Sequence, residues 1–504
     1  MNPMHDADHQ NLHHHSNEEP RDERRSREVN LRLKLDYAIH KIARDVKEGQ
    51  VLAWDNVRLR SYNGKLGAPV IEAYPGDTLN ILLDNKLPPE THPGMPNPNI
   101  PNGFNITNLH FHGLHVSPVG NADNVMMAVS PGQKFQYEVN IPSDHPAGLY
   151  WYHPHKHGSV ALQVGSGLAG VLIIRGDIDK VPAIQKAQEQ LFLFQQIPYV
   201  LNAQGLGEVE TYDNFGPGKW DTLNRRITIN GRVEPTLEMK PGELQRWRFI
   251  HAGLREPLLV KLVKRNATTG AEVAVPQYQI ALDGITTGRI EEVKETELHP
   301  GYRADVLVRA ADKNGTALPV GTYWLVNAAL PPERKDRVLA RVVVRGQVCK
   351  MRLPTPQELA PLAPFKNIGD SELTGTQEAH FDIDVTQTPP RFLINGRPFD
   401  PHAPPRKLKL GAVEEWTVSS SAITGHPFHI HVNPFQYTRE DGTVVWKDTL
   451  FLAAGQSLKL RTRYERYIGT FMLHCHIVDH EDLGMMETLE ILPPSMAHQH
   501  GLPH

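Results

Sequence analysis

The chain of 504 residues is 39% hydrophobic and 22% charged, with a net charge of −4 at pH 7. These proportions are typical of a globular protein, and so small a net charge gives no reason to expect nucleic acid or an anionic membrane as a partner. No apolar run reaches about 18 residues, so the sequence predicts no membrane-spanning segment.

The two ends of the chain differ in character from the rest. Residues 1–29 are polar, charged and bear several histidines, which predicts a disordered tail, and we predict a second tail at 496–504. The N-terminus lacks the apolar core of a signal peptide, and charged residues after Arg24 and Arg25 argue against a twin-arginine signal. We expect either a mature form whose signal was removed or a protein made without one.

Between the tails, related segments recur at intervals near 160 residues. The tetrapeptide INGR occurs at 229–232 and 394–397, and the closing motifs GLYWYH, GTYWLV and GTFMLH begin at Gly148, Gly321 and Gly469. Within each repeat, apolar residues alternate with polar ones between Gly, Pro and Asn turns, which predicts antiparallel β-sandwiches. We predict an all-β protein of three tandem domains, at 30–178, 179–355 and 356–495.

The three closing motifs differ at the positions that can bind metal. Where the first motif has His153 and the third has His474, the middle motif has Val326. The middle domain is therefore predicted to be a spacer without metal ligands. Any metal is expected between the first and third domains.

Four His-x-His pairs support such a shared site. Residues i and i+2 of a strand lie on the same face, so both imidazoles of a pair can reach one metal cluster. Two pairs fall in the first domain and two in the third, a distribution that chance does not explain. The pairs are His110/His112, His153/His155, His429/His431 and His474/His476.

The segment HCHIVDHEDLGM at 474–485 indicates a second kind of metal site. Cys475, His480 and Met485 are the thiolate, one imidazole and the axial thioether typical of a blue-copper electron-transfer site. Because side chains alternate along a strand, His474 and His476 point away from that copper. The segment is therefore predicted to serve two metal sites, one on each face.

Residues 30 to 495 resemble the three-domain multicopper oxidases of the bacterial laccase type, on the motifs LHFHG, WYHPH, HPFHIH and HCHIVDHEDLGM. The resemblance implies cupredoxin-like domains, a type-1, a type-2 and two type-3 coppers per chain, and secretion or a periplasmic location. It implies type-2 ligands His110 and His429. It implies type-1 ligands His426, Cys475, His480 and Met485. It implies that the type-3 pair is held by His112, His153, His155, His431, His474 and His476.

Reduction of dioxygen also consumes protons, so carboxylates are expected near the cluster. The resemblance assigns proton-relay roles to Glu481 and Asp123. Asp448 resembles a position near the blue site, but a loop-capping carboxylate explains it equally well.

The expected activity is one-electron oxidation of phenolic or aromatic amine donors, coupled to four-electron reduction of dioxygen to water by a monomer. The alternative is a metal-ion oxidase acting on Fe(II), Mn(II) or Cu(I). A Cu(I) oxidase is disfavoured because only 11 methionines are scattered along the chain and thioethers are the ligands that bind Cu(I). A scaffold that lost its copper is disfavoured by the complete ligand set.

Overall fold

The computed structural model describes residues 26–90, 97–209, 224–266, 268–332, 334 and 337–494. Strands dominate this part of the chain, and within it no helix has the length and apolar composition that a membrane crossing needs. The tail predicted at 496–504 lies outside the described residues, as do residues 1–25 of the tail predicted at 1–29. The first strand begins at Glu28, so the last two residues of the predicted tail, 28 and 29, belong to that strand.

The first unit, taken as residues 30–178, consists of two packed sheets around one core. The sheet that carries ligand candidates has the strand order β3-β8-β7-β5. Along β4, Leu79, Ile81 and Leu83 alternate with less buried residues and point into the core. The elements are β1 Glu28–Lys47, β2 Gln50–Tyr62, β3 Ile71–Ala73, β4 Thr78–Asn85, β5 His110–His112, β6 Lys134–Asn140, β7 Gly148–His153, α1 Val160–Gly165 and β8 Gly170–Ile174.

The middle unit has its own core but shares a sheet with the first. Its short strand β10 pairs in parallel with β2, which joins strands of both units into one sheet of 11 strands. The elements are α2 Pro182–Gln185, β9 Gln188–Leu201, β10 Leu206–Glu208, β11 Asn224–Ile229, β12 Thr236–Met239, β13 Leu244–His251, β14 Leu258–Arg265, β15 Glu272–Ala274, β16 Gln277–Leu282, β17 Ile285–Val293, β18 Thr296–Leu298, β19 Arg303–Arg309, β20 Gly321–Asn327 and β21 Val338–Val344. The short helix α3, Pro356–Leu359, follows the predicted boundary at 355 and packs Leu359 against this unit.

The third unit is a sandwich of a six-stranded and a five-stranded sheet. The five-stranded sheet, β24-β32-β31-β26-β29, carries the histidine pairs of this unit. The elements are β22 Gly375–Asp384, β23 Arg391–Ile394, β24 Arg406–Lys409, β25 Val413–Ser420, β26 His426–Ile430, β27 Phe435–Thr438, β28 Val444–Lys447, β29 Thr449–Leu452, β30 Ser457–Arg463, β31 Gly469–Cys475, α4 Val478–Asp482 and β32 Met486–Leu492.

The repeated INGR sequence is a two-residue turn. In both copies the Asn and the Gly adopt positive φ, 51° and 80° at Asn230 and Gly231 and 51° and 73° at Asn395 and Gly396. This is the backbone that an Asn-Gly turn between antiparallel strands requires. The same turn occurs at Asn63 of the first unit, with a φ of 54°, so the turn repeats in a third copy although the sequence there is not INGR.

A buried histidine orders a loop of the middle unit that contacts the third unit. His251 accepts a hydrogen bond from the Gly253 backbone N–H at Nδ1 and donates through Nε2 to the Glu256 carbonyl. In the same loop, the Leu254 carbonyl accepts from the Val478 backbone N–H. Burial lowers the pKa of His251 to about 4. The loop therefore needs the neutral imidazole.

Because His251 is neutral in the folded protein, its contribution to the free energy of unfolding depends on pH. Below a pH of about 6.5, His251 binds a proton in the unfolded chain but not in the folded chain. The free energy of unfolding therefore falls as the pH falls. Between pH 6.5 and 4.5 we expect His251 to account for about 2 kcal/mol of that fall. Denaturant unfolding of the parent and of His251→Gln at both pH values measures it. His402→Gln, at an exposed position, is the control, and an equal fall in all three proteins contradicts the prediction.

Candidate metal centre

Two pairs of neighbouring strands face each other between the first and third units. β5 pairs with β7 so that His110 lies opposite His153, and β26 pairs with β31 so that His429 lies opposite His474. Within each His-x-His pair the two ring centroids lie 5.1 to 5.9 Å apart, although only His110 and His112 both belong to a strand. The eight imidazoles meet in the interior, each at most 2% exposed: His110, His112, His153, His155, His429, His431, His474 and His476.

Three of these imidazoles point at one another. The Nε2 atom of His474 lies 3.1 Å from Nε2 of His155 and 3.2 Å from Nε2 of His431. Two nitrogens on one metal ion, with bonds of about 2.0 Å, are separated by roughly this distance. This triad therefore suits one ion.

A second group lies beside the first. His112 Nδ1 is 3.2 Å from His476 Nε2, and the ring centroid of His153 lies 5.8 Å and 5.6 Å from those of His112 and His476. His110 and His429 complete the cluster, their rings stacked on His431 and His112. The atoms His110 Nε2, His153 Nε2 and His429 Nε2 are buried and have no hydrogen-bond partner among the described residues.

Backbone carbonyls accept hydrogen bonds from the outward nitrogens of three cluster imidazoles. Nδ1 of His153, His429 and His474 donates to the backbone carbonyls of Pro154, Asp448 and Cys475, at 2.9, 2.8 and 3.0 Å. These bonds leave the Nε2 lone pairs free on the inner side. His112 is turned the other way, with Nε2 3.2 Å from Asp448 Oδ1.

Burial favours the neutral form of His153 and His155. It lowers the pKa of both His153 and His155 to about 3. A metal ligand must be a neutral imidazole, so the ionisation state, the orientation and the unpartnered nitrogens all fit bound metal ions. Copper is well suited to imidazole ligands.

A separate donor set lies on the other face of β31. Cys475 Sγ is 3.5 Å from His426 Nδ1 and 3.8 Å from His480 Nδ1, and these two nitrogens are 3.3 Å apart. All three residues are at most 5% exposed. Burial raises the pKa of the Cys475 thiol and lowers that of His426 to about 4. A metal cation would favour the thiolate that burial alone disfavours.

Met485 is fully buried in the same core as Cys475. Its carbonyl accepts a hydrogen bond from the Cys475 backbone N–H, and its own N–H donates to the His480 carbonyl. The tripeptide His474-Cys475-His476 thus joins the thiol site to the imidazole cluster through adjacent residues.

Known proteins share both the sequence pattern and the fold. Two family models described as multicopper oxidase match residues 99–178 and 372–495. The multicopper oxidase mco of Staphylococcus aureus is 25% identical over 442 residues, covering 85% of this chain and 83% of the relative. A laccase of Bacillus stratosphericus is 26% identical over 496 residues, 86% and 91% of the two chains.

The chain belongs to the multicopper oxidase family. It is a copper-dependent oxidoreductase with dioxygen as electron acceptor. Among solved structures, a laccase from Pediococcus acidilactici Pa5930 shares the cupredoxin-like fold with a TM-score of 0.72 and 23% identity, over 92% of this chain and 90% of that one. A Campylobacter jejuni multicopper oxidase titled a metallo-oxidase superposes with a TM-score of 0.67 and 24% identity, over 93% and 92%.

Both predicted relay carboxylates of this multicopper oxidase touch cluster histidines. Asp123 Oδ1 lies 3.0 Å from His110 Nδ1 and accepts from the Phe111 N–H, and burial raises its pKa to about 7. Glu481 has its oxygens 3.3 Å from His155 Nδ1 and 3.2 Å from His474 Nδ1. Burial alone would raise the pKa of Glu481, but His155 and His474 hold it below its ordinary value.

One turn of helix, α4, sends consecutive side chains to different places. Asp479 pairs with Arg255 of the middle unit, His480 reaches the thiol site, and Glu481 reaches the cluster. The Asp482 carboxylate accepts hydrogen bonds from the backbone N–H groups of Gly158, Val160 and Ala161 in the first unit. This order follows from the roughly 100° rotation per residue of a helix, which the sequence pattern did not reveal.

Two further residues lie at the cluster, Asp448, which the sequence analysis placed elsewhere, and Arg303, which it did not identify. Asp448 lies against His112, and not at the thiol site. It is bound by Arg303 of the middle unit, which is completely buried. The middle unit is therefore more than the predicted spacer, although none of the eight cluster imidazoles comes from it. No local motif marks Arg303, because its partner lies 145 residues away.

Proposed function

We propose that this multicopper oxidase binds four coppers per chain and couples one-electron oxidation of phenolic or aromatic amine donors to four-electron reduction of dioxygen to water. The observation that carries the proposal is the pair of donor sets joined by His474-Cys475-His476. His426, Cys475, His480 and Met485 would hold the type-1 copper. His110 and His429 would hold the type-2 copper, and the other six cluster imidazoles the type-3 pair.

The bound coppers would supply the electron storage that reduction of dioxygen requires. The protein supplies orientation and a dry interior. The cluster imidazoles are buried, and backbone carbonyls orient three of them, His153, His429 and His474, so the lone pairs of those three need no reorganisation. His480 is 5% exposed, whereas the cluster imidazoles are at most 2% exposed, which favours the type-1 site as the point of electron entry.

Asp123 and Glu481 are proposed as the proton-relay carboxylates. Asp123, with a pKa of about 7, holds a proton at Oδ in a large fraction of molecules at neutral pH. Glu481 is ionised at neutral pH, so it must first take up a proton at Oε and then pass it on. Their contacts with His110, His155 and His474 put both carboxylates beside the cluster.

The predicted domains, 30–178, 179–355 and 356–495, are proposed as the folding units of a monomer. Three separate hydrophobic cores, at 33–174, 192–344 and 379–491, support the division. Sedimentation of the copper-loaded protein at several concentrations tests the monomer.

Copper content is the first test. Fully loaded protein is expected to contain about four coppers per chain and to be blue, through charge transfer from the Cys475 thiolate. Elemental analysis and visible absorption of the same sample measure both. A colourless protein with one or two coppers contradicts the assignment.

The donor class is tested by oxygen uptake. Copper-loaded protein is compared with a phenol, an aromatic amine, Fe(II), Mn(II) and Cu(I) in parallel, and the organic donors are expected to give the higher kcat/KM. Cys475→Ser provides the background rate of donor autoxidation. Faster uptake with a metal ion would favour the metal-ion oxidase, an activity class that a relative from Epichloe festucae, named an iron transport multicopper oxidase, also represents.

A further inference from the structure

Arg303, at the start of β19, contacts all three units. Its five N–H donors each have an acceptor. Nε donates to the Leu149 carbonyl of the first unit at 3.3 Å, and Nη1 and Nη2 donate to the Gly301 and Asp283 carbonyls of the middle unit at 3.0 and 2.7 Å. The remaining two bonds go to the third unit, where Nη1 and Nη2 meet the Asp448 carboxylate at 2.8 and 2.5 Å.

The far side of Asp448 faces the cluster. Its Oδ1 atom lies 3.2 Å from Nε2 of His112 and accepts a bond from the Thr449 hydroxyl at 2.8 Å. Since His112 Nε2 donates to this carboxylate, Nδ1 is the atom left to face His476. Because both oxygens of the Asp448 carboxylate are bound by one planar guanidinium, the carboxylate has only one orientation.

Asp283 fixes the same arrangement from the middle unit. Its Oδ1 accepts from the Arg303 backbone N–H at 3.1 Å, and its Oδ2 lies 3.0 Å from Lys447 Nζ. Oδ2 also accepts from the Asp448 and Thr449 backbone N–H groups at 3.3 and 3.2 Å. Two acids and two bases, all at most 5% exposed, thus form one closed network beneath the cluster.

The chain that follows His112 at the end of β5 passes directly over Arg303 and Asp448. At Gly113, which follows His112 and has a φ of 88°, a Cβ would lie 2.2 Å from Arg303 Nη2 and 2.6 Å from Asp448 Oδ2. At Gly301, a Cβ would lie 2.9 Å from the His476 ring. The chain that follows His112 is therefore packed against Arg303 and Asp448, and the chain that precedes Arg303 is packed against His476.

We propose that Arg303 is a positioning residue of the copper cluster, which acts through Asp448 to hold His112 with Nδ1 toward the metal. The inference rests on the proposed copper cluster. A buried ion pair contributes little net stability, so its use here is the orientation of a ligand. Replacing a residue that holds a metal ligand through a hydrogen bond typically lowers the metal affinity by about 10- to 100-fold.

The test compares Arg303→Lys with Arg246→Lys. Arg246 is a matched control, because it is a buried arginine of the same unit paired with a buried aspartate, Asp305, and it contacts none of the cluster imidazoles. Copper affinity of the cluster is measured by chelator competition, together with the electron paramagnetic resonance spectrum. Lysine keeps the charge but replaces the planar fork with a single ammonium.

We expect Arg303→Lys to weaken cluster copper by about 10- to 100-fold and to alter the cluster spectrum, with the type-1 blue band unchanged. Arg246→Lys should lose stability only. Asp448→Asn, measured alone and combined with Arg303→Lys, provides a second variant, and the two changes should not add. Parent-like cluster copper in Arg303→Lys or Asp448→Asn, or equal losses in Arg246→Lys, overturns the inference. A parent that binds no copper instead overturns the proposed function.

Discussion

Replacing Cys475 with Ser is expected to remove the blue colour and nearly all oxidation of donors. A hydroxyl is a poor ligand for copper where a soft thiolate with two imidazoles is required. The eight cluster imidazoles are untouched, so about three coppers per chain should remain. Visible absorption, copper analysis and steady-state oxygen uptake of the variant measure the three effects.

The other cysteine provides the matched control. Cys349 is partly buried in the middle unit, where its thiol contacts the Pro241 carbonyl. Cys349→Ser should keep the blue band and the parental turnover. A blue, active Cys475→Ser protein would show that Cys475 is not a ligand of the type-1 copper.

Replacing Glu481 with Gln is expected to slow reoxidation of the reduced enzyme by dioxygen by roughly a hundredfold or more, the usual contribution of a well-placed proton-transfer group. The amide keeps the shape of the side chain beside His155 and His474 but cannot carry the proton. Electron entry should be unaffected, so bleaching by a donor without oxygen should run at the parental rate. Stopped-flow absorption follows both half-reactions.

Glu487→Gln separates this effect from a general loss of charge. Glu487 lies in the adjacent strand β32, where its carboxylate pairs with Arg406 and not with the cluster. Its substitution should leave both half-reactions unchanged. Equal reoxidation rates in Glu481→Gln and the parent would leave Asp123, which touches His110, as the relay carboxylate to test.

Local geometry explains which features of the two donor sets the sequence could predict. Alternation along a strand places His474 and His476 on the face opposite Cys475, and it places both members of each His-x-His pair together. These relations need no knowledge of distant residues. The repeats, the β-rich architecture and the grouping of the histidines between the first and third units follow from similarly local patterns.

Contacts between distant parts of the chain have no such local pattern in the sequence. His112 meets Asp448 across 336 residues, and Asp448 meets Arg303 across 145. Strand pairing sets these neighbours, because the register of β26 against β29 puts His429 opposite Thr449 and so Asp448 beside the cluster. The sequence alone therefore predicted which candidate donor side chains lie together. Their orientation, and the part that the middle unit plays in it, depend on long-range packing that no local periodicity encodes.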